Sequence, residues 1–346
     1  MIKLSICIAT YNRADVIGQT LESIISQIRE EVEIVVVDGA STDDTTIVMQ
    51  RYTDRCPSLR YYRLPAKGGV DRDYCHAVSF ATGEYCWLLT DDDVLKPGAV
   101  DTILALLPQK YSLIITNAEI WDRAFTQRQE LKRLHIEADT FYEPSARERL
   151  FGDTGSYLSF IGGVVIDRAL WNERIKEPYI GTEFIHFGVI FQKDLPCGAF
   201  ALAKPLIRIR SGNAQWSPRH FSIWMIKWPD LVWSFQGISD SAKARVSPRN
   251  PWEDALTLVL ERAFGVYSLN EYKTYLQGRP TKRWKMVTAK TIALIPGVLV
   301  NLLVVAYYTV MRFPDIFLWH NLRGSRYYYR RYLSRITGWG KTTSAA

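Results

Sequence analysis

The sequence predicts an α/β protein, a mostly parallel sheet with helices on both faces, joined to a helical C-terminal region. Three observations carry that prediction. β-Branched and apolar runs at 3–9, 33–37, 60–64, 84–89 and 113–116 alternate with stretches of helical spacing, the signature of strand-helix-strand crossovers. The fourth run, Glu-Tyr-Cys-Trp-Leu-Leu from Glu84, ends abruptly in Thr90 and three carboxylates, Asp91, Asp92 and Asp93. Residues 277–346 hold twelve Lys and Arg against one acid, Asp315, around an uncharged stretch at 291–311.

A chain of 346 residues, 47% of them hydrophobic, suits two domains with sizeable cores and excludes a disordered protein. We expect the first at 1–215 and the second, aromatic and basic, at 216–346. The five cysteines are scattered, with no Cys-x-x-Cys pair, and read as free thiols of a reducing compartment. The apolar run at 4–9 is too short, and too soon followed by Tyr11, Asn12 and Arg13, for a signal peptide, so the catalytic part is expected in the cytoplasm. The net charge of +7 divides into +11 over 277–346 and −4 over the rest. A basic tail suits nucleic acid or anionic lipid; the apolar stretch inside it favours lipid, and no nucleic-acid partner is expected.

The elements follow in order. The first strand stops at Thr10-Tyr11-Asn12-Arg13, and Val16, Ile17, Leu21, Ile24, Ile25 and Ile28 then show helical spacing. A second strand ends at Asp38-Gly39-Ala40-Ser41-Thr42, where Ser41 or Thr42 suits a helix cap. After a short third strand, Lys67-Gly68-Gly69 opens a helix over 70–81, and Gly83 leads into the central strand. Residues 97–107 read as a helix, 121–148 as a solvated excursion, 161–166 as a strand and 206–210 as the last strand. A further helix is expected to start near Thr182. Ser217-Pro218 suits the start of a helix bearing an aromatic stripe from Phe221 to Phe235, which fits core packing or an interfacial surface.

Three adjacent acids repel one another. Beyond the carboxyl ends of parallel strands the repulsion is relieved by a divalent cation with an anionic ligand, and hard oxygen donors suit magnesium or manganese. The alternative is a helix N-terminus near Pro97, whose dipole favours nearby acids. At the first strand's end Thr10, Tyr11 and Arg13 offer a hydroxyl, an aromatic face and a cation, enough to hold a nucleotide or to make an ordinary surface loop. Asp38 fits either a base or ribose contact or a turn.

Taken together, residues 6–13, the run Val35-Val36-Val37-Asp38-Gly39-Ala40-Ser41-Thr42-Asp43-Asp44-Thr45, Gly68-Gly69 with Arg72, Gly83-Glu84-Tyr85 and Thr90-Asp91-Asp92-Asp93 resemble the family 2 glycosyltransferases of the GT-A fold over roughly 3–215. The Gly-Gly-Val-Asp and Thr-Asp-Asp-Asp details are similar to the abequosyltransferase-like branch of O-antigen assembly. The resemblance implies a nucleotide-sugar donor bound by Thr10, Tyr11, Arg13, Asp38, Arg72 and Asp91, with Arg72 towards the diphosphate or the acids. It implies Mn2+ or Mg2+ on Asp92, with Asp91 beside the ribose. Thr90 stands where the first aspartate of the common Asp-x-Asp form sits, so Asp91 or Asp93 is the second ligand, and Asp93 is our choice. A family-type general base is implied at Glu183, although Phe184 replaces its usual partner acid; His186 shares its helix face as a possible ligand or a structural histidine. Arg208, Arg210 and Gln215-Trp216 match a loop that closes over donor phosphates.

The implied function is metal-dependent transfer of one sugar, with inversion, to a hydroxyl of a glycan, polyprenyl-diphosphate-linked, in bacterial surface polysaccharide assembly. No Gln-x-x-Arg-Trp motif supports a processive polymerase, and no Gly-x-Gly-x-x-Gly follows the first strand as a dinucleotide oxidoreductase requires. A sugar nucleotidyltransferase would want a glycine-rich basic loop there; an inactive scaffold or carbohydrate-binding protein would not need Asp38, Asp92 and Glu183. The stretch 291–311 is long enough to span a bilayer, but basic residues flank both sides and Pro296-Gly297 falls inside it. We therefore expect a bent, monotopic segment on an anionic membrane surface, at the cytoplasmic face of the inner membrane.

Overall fold

A computed structural model describes residues 1–213, 215, 219–311 and 316–328. The expected Ser217-Pro218 cap and Trp216 lie outside the described residues. Two compact units emerge: Met1–Asn213 with Leu231–Ser247, and Ala214–Asp230 with Pro248–Ala346.

The first unit opens with β1 (Leu4–Thr10), α1 (Ile17–Ile25), β2 (Val32–Asp38), α2 (Thr45–Thr53), β3 (Leu59–Arg63), α3 (Val70–Phe80) and β4 (Tyr85–Leu89). β2 and β4 are buried along their whole length, which is what an apolar run covered on both sides of a sheet requires. β5 (Val94–Leu95), α4 (Ala99–Leu106), β6 (Leu113–Trp121), β7 (Arg128–Glu130), β8 (Thr140–Tyr142), α5 (Arg147–Thr154), β9 (Val164–Asp167), α6 (Arg168–Glu173), α7 (Ile185–Phe191) and β10 (Ala199–Arg210) complete the α/β part. The strands run β3-β2-β1-β4-β9-β6-β10-β5, with β7 on β6 and β8 on β10.

The sheet is mixed rather than mostly parallel. β3, β2, β1 and β4 are parallel, as the crossover pattern implies, and β10 is parallel to β6; but β9 lies antiparallel between β4 and β6. The expected strand at 161–166 begins late for a local reason. Ile161–Gly163 form a 3-10 turn in which Gly162 accepts from the Trp87 indole, and only four residues pair. β10 is longer than expected because it starts at Ala199 and continues through Pro205 by irregular register, a position where proline's missing N–H is tolerated. The excursion at 121–148 contributes the short β7 and β8.

The second unit and the returning segment are helical: α8 (His220–Ser222), α9 (Trp228–Ser234), α10 (Asp240–Val246), α11 (Ala255–Phe264), α12 (Leu269–Glu271), α13 (Arg283–Leu294), α14 (Gly297–Val310) and α15 (Ile316–Gly324). The start of the aromatic stripe is core: Phe221 stacks on Tyr267 at 4.8 Å and packs with Met225, Trp252 and Leu276. The charge-free stretch is two helices bent by 96°, and no single helix among the described residues is long and apolar enough to cross a membrane. Arg262 fastens the bend, its Nε and Nη2 donating to the Ile295 carbonyl at 2.9 and 2.8 Å. α14 buries Val300, Asn301 and Val304 and exposes Leu299, Leu302, Leu303, Tyr307 and Val310.

Candidate active site

The site lies at the carboxyl ends of β1, β2 and β4, where a parallel sheet leaves a crevice. Two loops there are laced together. The Gly39 N–H donates to the Thr10 carbonyl, Asn12 N–H to Ser41 Oγ, Thr42 N–H to Asn12 Oδ1 and Arg13 N–H to Thr45 Oγ1. Asn12 takes a left-handed conformation (φ 52°) to make these contacts. Tyr11 follows β1 with the Lys67 ammonium 3.5 Å above its ring. The Thr10 hydroxyl is buried beside the Asp91 carboxylate.

Arg13 is the hub. Its Nε lies 3.3 Å from Asp91 Oδ1, its Nη2 lies 3.3 Å from Asp92 Oδ2, and its Nη1 donates to the Asn213 carbonyl. Burial and the neighbouring Asp92 push the Asp91 carboxyl up to about 7, against the pull of Arg13. Asp92 is raised by burial and drawn back by Arg13, and it accepts from Asn213 Nδ2 at 3.3 Å. One guanidinium against two carboxylates leaves negative charge to be offset, so these side chains fit a divalent cation. No group of three or more His, Cys, Asp or Glu surrounds a common point among the described residues, so a cation held by Asp91 and Asp92 would need further oxygen ligands from outside the protein.

Two expectations, Asp93 as a ligand and Arg72 as the bridge to the acids, are corrected here. Asp93 is turned inward: Oδ1 accepts from the Arg210 N–H at 2.7 Å and Oδ2 from the Thr90 hydroxyl at 2.5 Å, which leaves Asp91 as the carboxylate beside Asp92. Arg72 is exposed, folded back against Gly68, and makes no ion pair among the described residues; the acids are bridged by Arg13 instead. Asp38 is completely buried, with Oδ1 accepting from Ser41 N–H at 2.7 Å and Oδ2 from the Tyr61 hydroxyl at 2.5 Å, and it fastens the loop that follows β2. Arg210 is likewise structural, donating to the Asp92 and Arg123 carbonyls and to Gln19. Arg208 pairs with Glu119 at 3.1 Å.

Glu183 stands two residues before α7 rather than within it, in a left-handed conformation (φ 75°). A non-glycine residue held there costs about 1–3 kcal/mol, and surrounding structure must impose it. Asp71 does so. Its buried carboxylate accepts from the N–H groups of Gly181, Glu183 and Ile185 at 2.7, 2.9 and 3.0 Å, joining the Glu183 loop to the first turn of α3. His186 is buried with Nε2 on the Leu158 carbonyl at 2.8 Å, away from the acids, and burial lowers it to about 4, so it is a neutral residue of the core.

Sequence reasoning missed Asp71, Asp73, Asn213 and the clamp by Arg210. Asp71 and Asp73 carry a signal, two acids in a first turn directly after Gly68-Gly69, but acids there ordinarily serve the helix dipole.

Strand-end acids, an interlaced polar loop and a strained carboxylate on an adjoining loop define a GT-A-like transferase site. Residues 5–164 match the family model described as "Glycosyl transferase family 2", so the first unit carries a family 2 glycosyltransferase domain. The abequosyltransferase RfbV of Salmonella typhimurium is 26% identical over 224 residues, covering 61% of this chain and 67% of its own. The GalNAc(5)-diNAcBac-PP-undecaprenol beta-1,3-glucosyltransferase of Campylobacter jejuni is 27% identical, covering 53% and 58%. In fold, the chain is similar to S. aureus TarS 1–349 (TM-score 0.53, 16% identity, covering 100% and 94%). It is also similar to the mannosyltransferase PcManGT of Pyrobaculum calidifontis, solved with GDP-Man and Mn2+ (TM-score 0.52, 14% identity, covering 98% and 88%).

Proposed function

We propose that the protein transfers a single sugar from a nucleotide-sugar donor to a hydroxyl of a lipid-linked glycan during bacterial surface polysaccharide assembly, with a divalent cation. The observation that carries this reading is the pair Asp91, buried, and Asp92, half-buried, side by side at a strand end and bridged by one arginine. The relatives support the acceptor class, since one is named for an undecaprenol-linked substrate and another for abequosyl transfer. The PcManGT complex supports the cation.

Asp91 and Asp92 would hold the cation, Mn2+ or Mg2+, which when bound neutralises the diphosphate and the charge that develops on it as it leaves. Arg13 supplies fixed positive charge at the same place. Tyr11 offers a ring face to the nucleotide. Glu183, held by Asp71, takes the proton from the acceptor hydroxyl as its oxygen attacks the anomeric carbon. The second unit would sit on the membrane: α14 exposes Leu299, Leu302, Leu303, Tyr307 and Val310, and Lys282, Arg283, Lys285 and Lys290 lie on or beside α13. That combination suits an interfacial seat on an anionic membrane at its cytoplasmic face.

The test is turnover. Purified protein with manganese and an undecaprenyl-diphosphate glycan, offered a panel of nucleotide sugars, is expected to release nucleotide from one of them only when acceptor and metal are both present. Absence of release from every donor would leave the inactive-scaffold reading.

A further inference from the structure

The second unit holds a cavity of about 430 Å³ that the proposed reaction leaves unused, lined by Arg249, Asn250, Trp252, Arg279 and Pro280. Small-ligand pockets are of this size, roughly 300–1,000 Å³. Its walls are held in place. The Arg279 guanidinium is fixed in plane: Nη1 and Nη2 donate to the Asp230 carboxylate at 3.3 and 3.0 Å and Nε to the Tyr275 carbonyl at 3.0 Å, which leaves further N–H donors on the same group. Asn250 Nδ2 donates to Glu253 Oε1 at 3.3 Å, and Glu253 also accepts from the Thr281 hydroxyl at 2.7 Å and the Lys285 ammonium at 2.5 Å. Trp252 is 2% exposed and packs in one core cluster with Phe221 and Leu276, so that wall is rigid.

Charge and position define what such a cavity takes. The acids beside it, Asp230 and Glu253, are each paired with a cation already, while Arg249 lines the cavity from an exposed position and Lys282 acts on Glu253 by its charge. Two guanidiniums around one polar space suit phosphate, because their planar N–H forks match its oxygens. α13 starts at Arg283, just past Pro280, and exposes Trp284, Val287 and Leu294, side chains that suit the boundary between headgroups and acyl chains. A phosphate held at that level belongs to a lipid.

Resting on the lipid-linked acceptor of the proposed function, we propose that this cavity binds the diphosphate of that acceptor, with Arg249 and Arg279 on its phosphate oxygens. Two joined phosphates carry more charge than a phosphodiester headgroup and offer oxygens to both guanidiniums at once, so the cavity distinguishes the acceptor from bulk anionic lipid. The exposed Lys282 and Arg283 outside it add only the general attraction to an anionic surface.

Flotation of the full chain with phosphatidylcholine vesicles carrying either undecaprenyl diphosphate or phosphatidylglycerol, at equal surface charge, tests this; EDTA is present so that no metal holds phosphate at Asp91 and Asp92. Wild type is expected to bind the diphosphate vesicles at least about tenfold more tightly, and inorganic pyrophosphate to abolish that preference. Arg249→Gln and Arg279→Gln should each lose the preference, so that the two vesicle types bind alike; the exposed Arg249 keeps the test open if loss of the Asp230 pair unsettles Arg279→Gln. Equal binding of both vesicles by wild type would overturn the site and leave a general attraction to anionic lipid. A preference that survives both substitutions, or that pyrophosphate leaves intact, would overturn it as well. A wild type that shows the preference but turns over no donor would remove the proposed function and not the site.

Discussion

Arg13 ties the two carboxylates that matter, and its removal from solvent is what makes that tie strong: at 9% exposure its guanidinium faces Asp91 and Asp92 with little water between. Replacing Asp92 with alanine relieves local repulsion while deleting one of two anchors, so transfer is expected to disappear with no fall in Tm; manganese-dependent turnover at the wild-type rate would contradict it. Glu183→Gln is expected to lower turnover by about 10²- to 10⁴-fold with donor affinity unchanged. A collapse of donor affinity instead would move Glu183 into the donor site. At this scale the sequence was legible in which residues the strand ends gather, Arg13 after β1 with Asp91 and Asp92 after β4. It was not legible where the outcome depends on which way a side chain turns. Asp93 and Arg72 share those motifs, yet one faces inward to Arg210 and the other lies out against Gly68.

The α3 N-terminus and the 181–185 loop act as one element because Asp71 joins them. Asp71→Ala strands three buried or half-buried N–H groups and releases the strained Glu183 backbone, for a loss of stability of roughly 3 kcal/mol. Turnover should fall with it, and hydrogen exchange at Gly181, Glu183 and Ile185 should accelerate; unchanged exchange would show that Asp71 does not hold the loop. α7 also carries a pH signature. In the unfolded chain His186 protonates near its ordinary value of 6.5, but in the fold only near 4, so the folded state resists the proton. Stability is complete above the ordinary value and falls as pH drops towards 4, by up to roughly 3 kcal/mol. The Tm advantage of wild type over His186→Gln should therefore shrink between pH 7 and pH 4; a constant gap would refute it. Elements were legible where periodicity is long, as in β1, β2 and β4. β9 was misplaced because its glycines turn in a 3-10 geometry that an apolar run conceals, and β10 because Pro205 reads as a strand end.

Across the whole chain, the bend at Pro296-Gly297 was legible because proline lacks the N–H that would continue α13; the helix ends at Ile295, whose carbonyl Arg262 takes up. Leu302→Asp with Leu303→Asp alters only exposed positions, so flotation with vesicles containing phosphatidylglycerol should be lost while Tm stays unchanged. Wild type that fails to float on such vesicles would remove the membrane seat. The central claim, that Asp91, Asp92 and Arg13 form a cation-assisted diphosphate site, is tested most directly by titrating the preferred nucleoside diphosphate into wild type and Asp92→Ala, each with manganese and with EDTA. We predict that manganese tightens binding to wild type by at least about tenfold and leaves Asp92→Ala unaffected. Equal affinity with manganese and EDTA in wild type would contradict it.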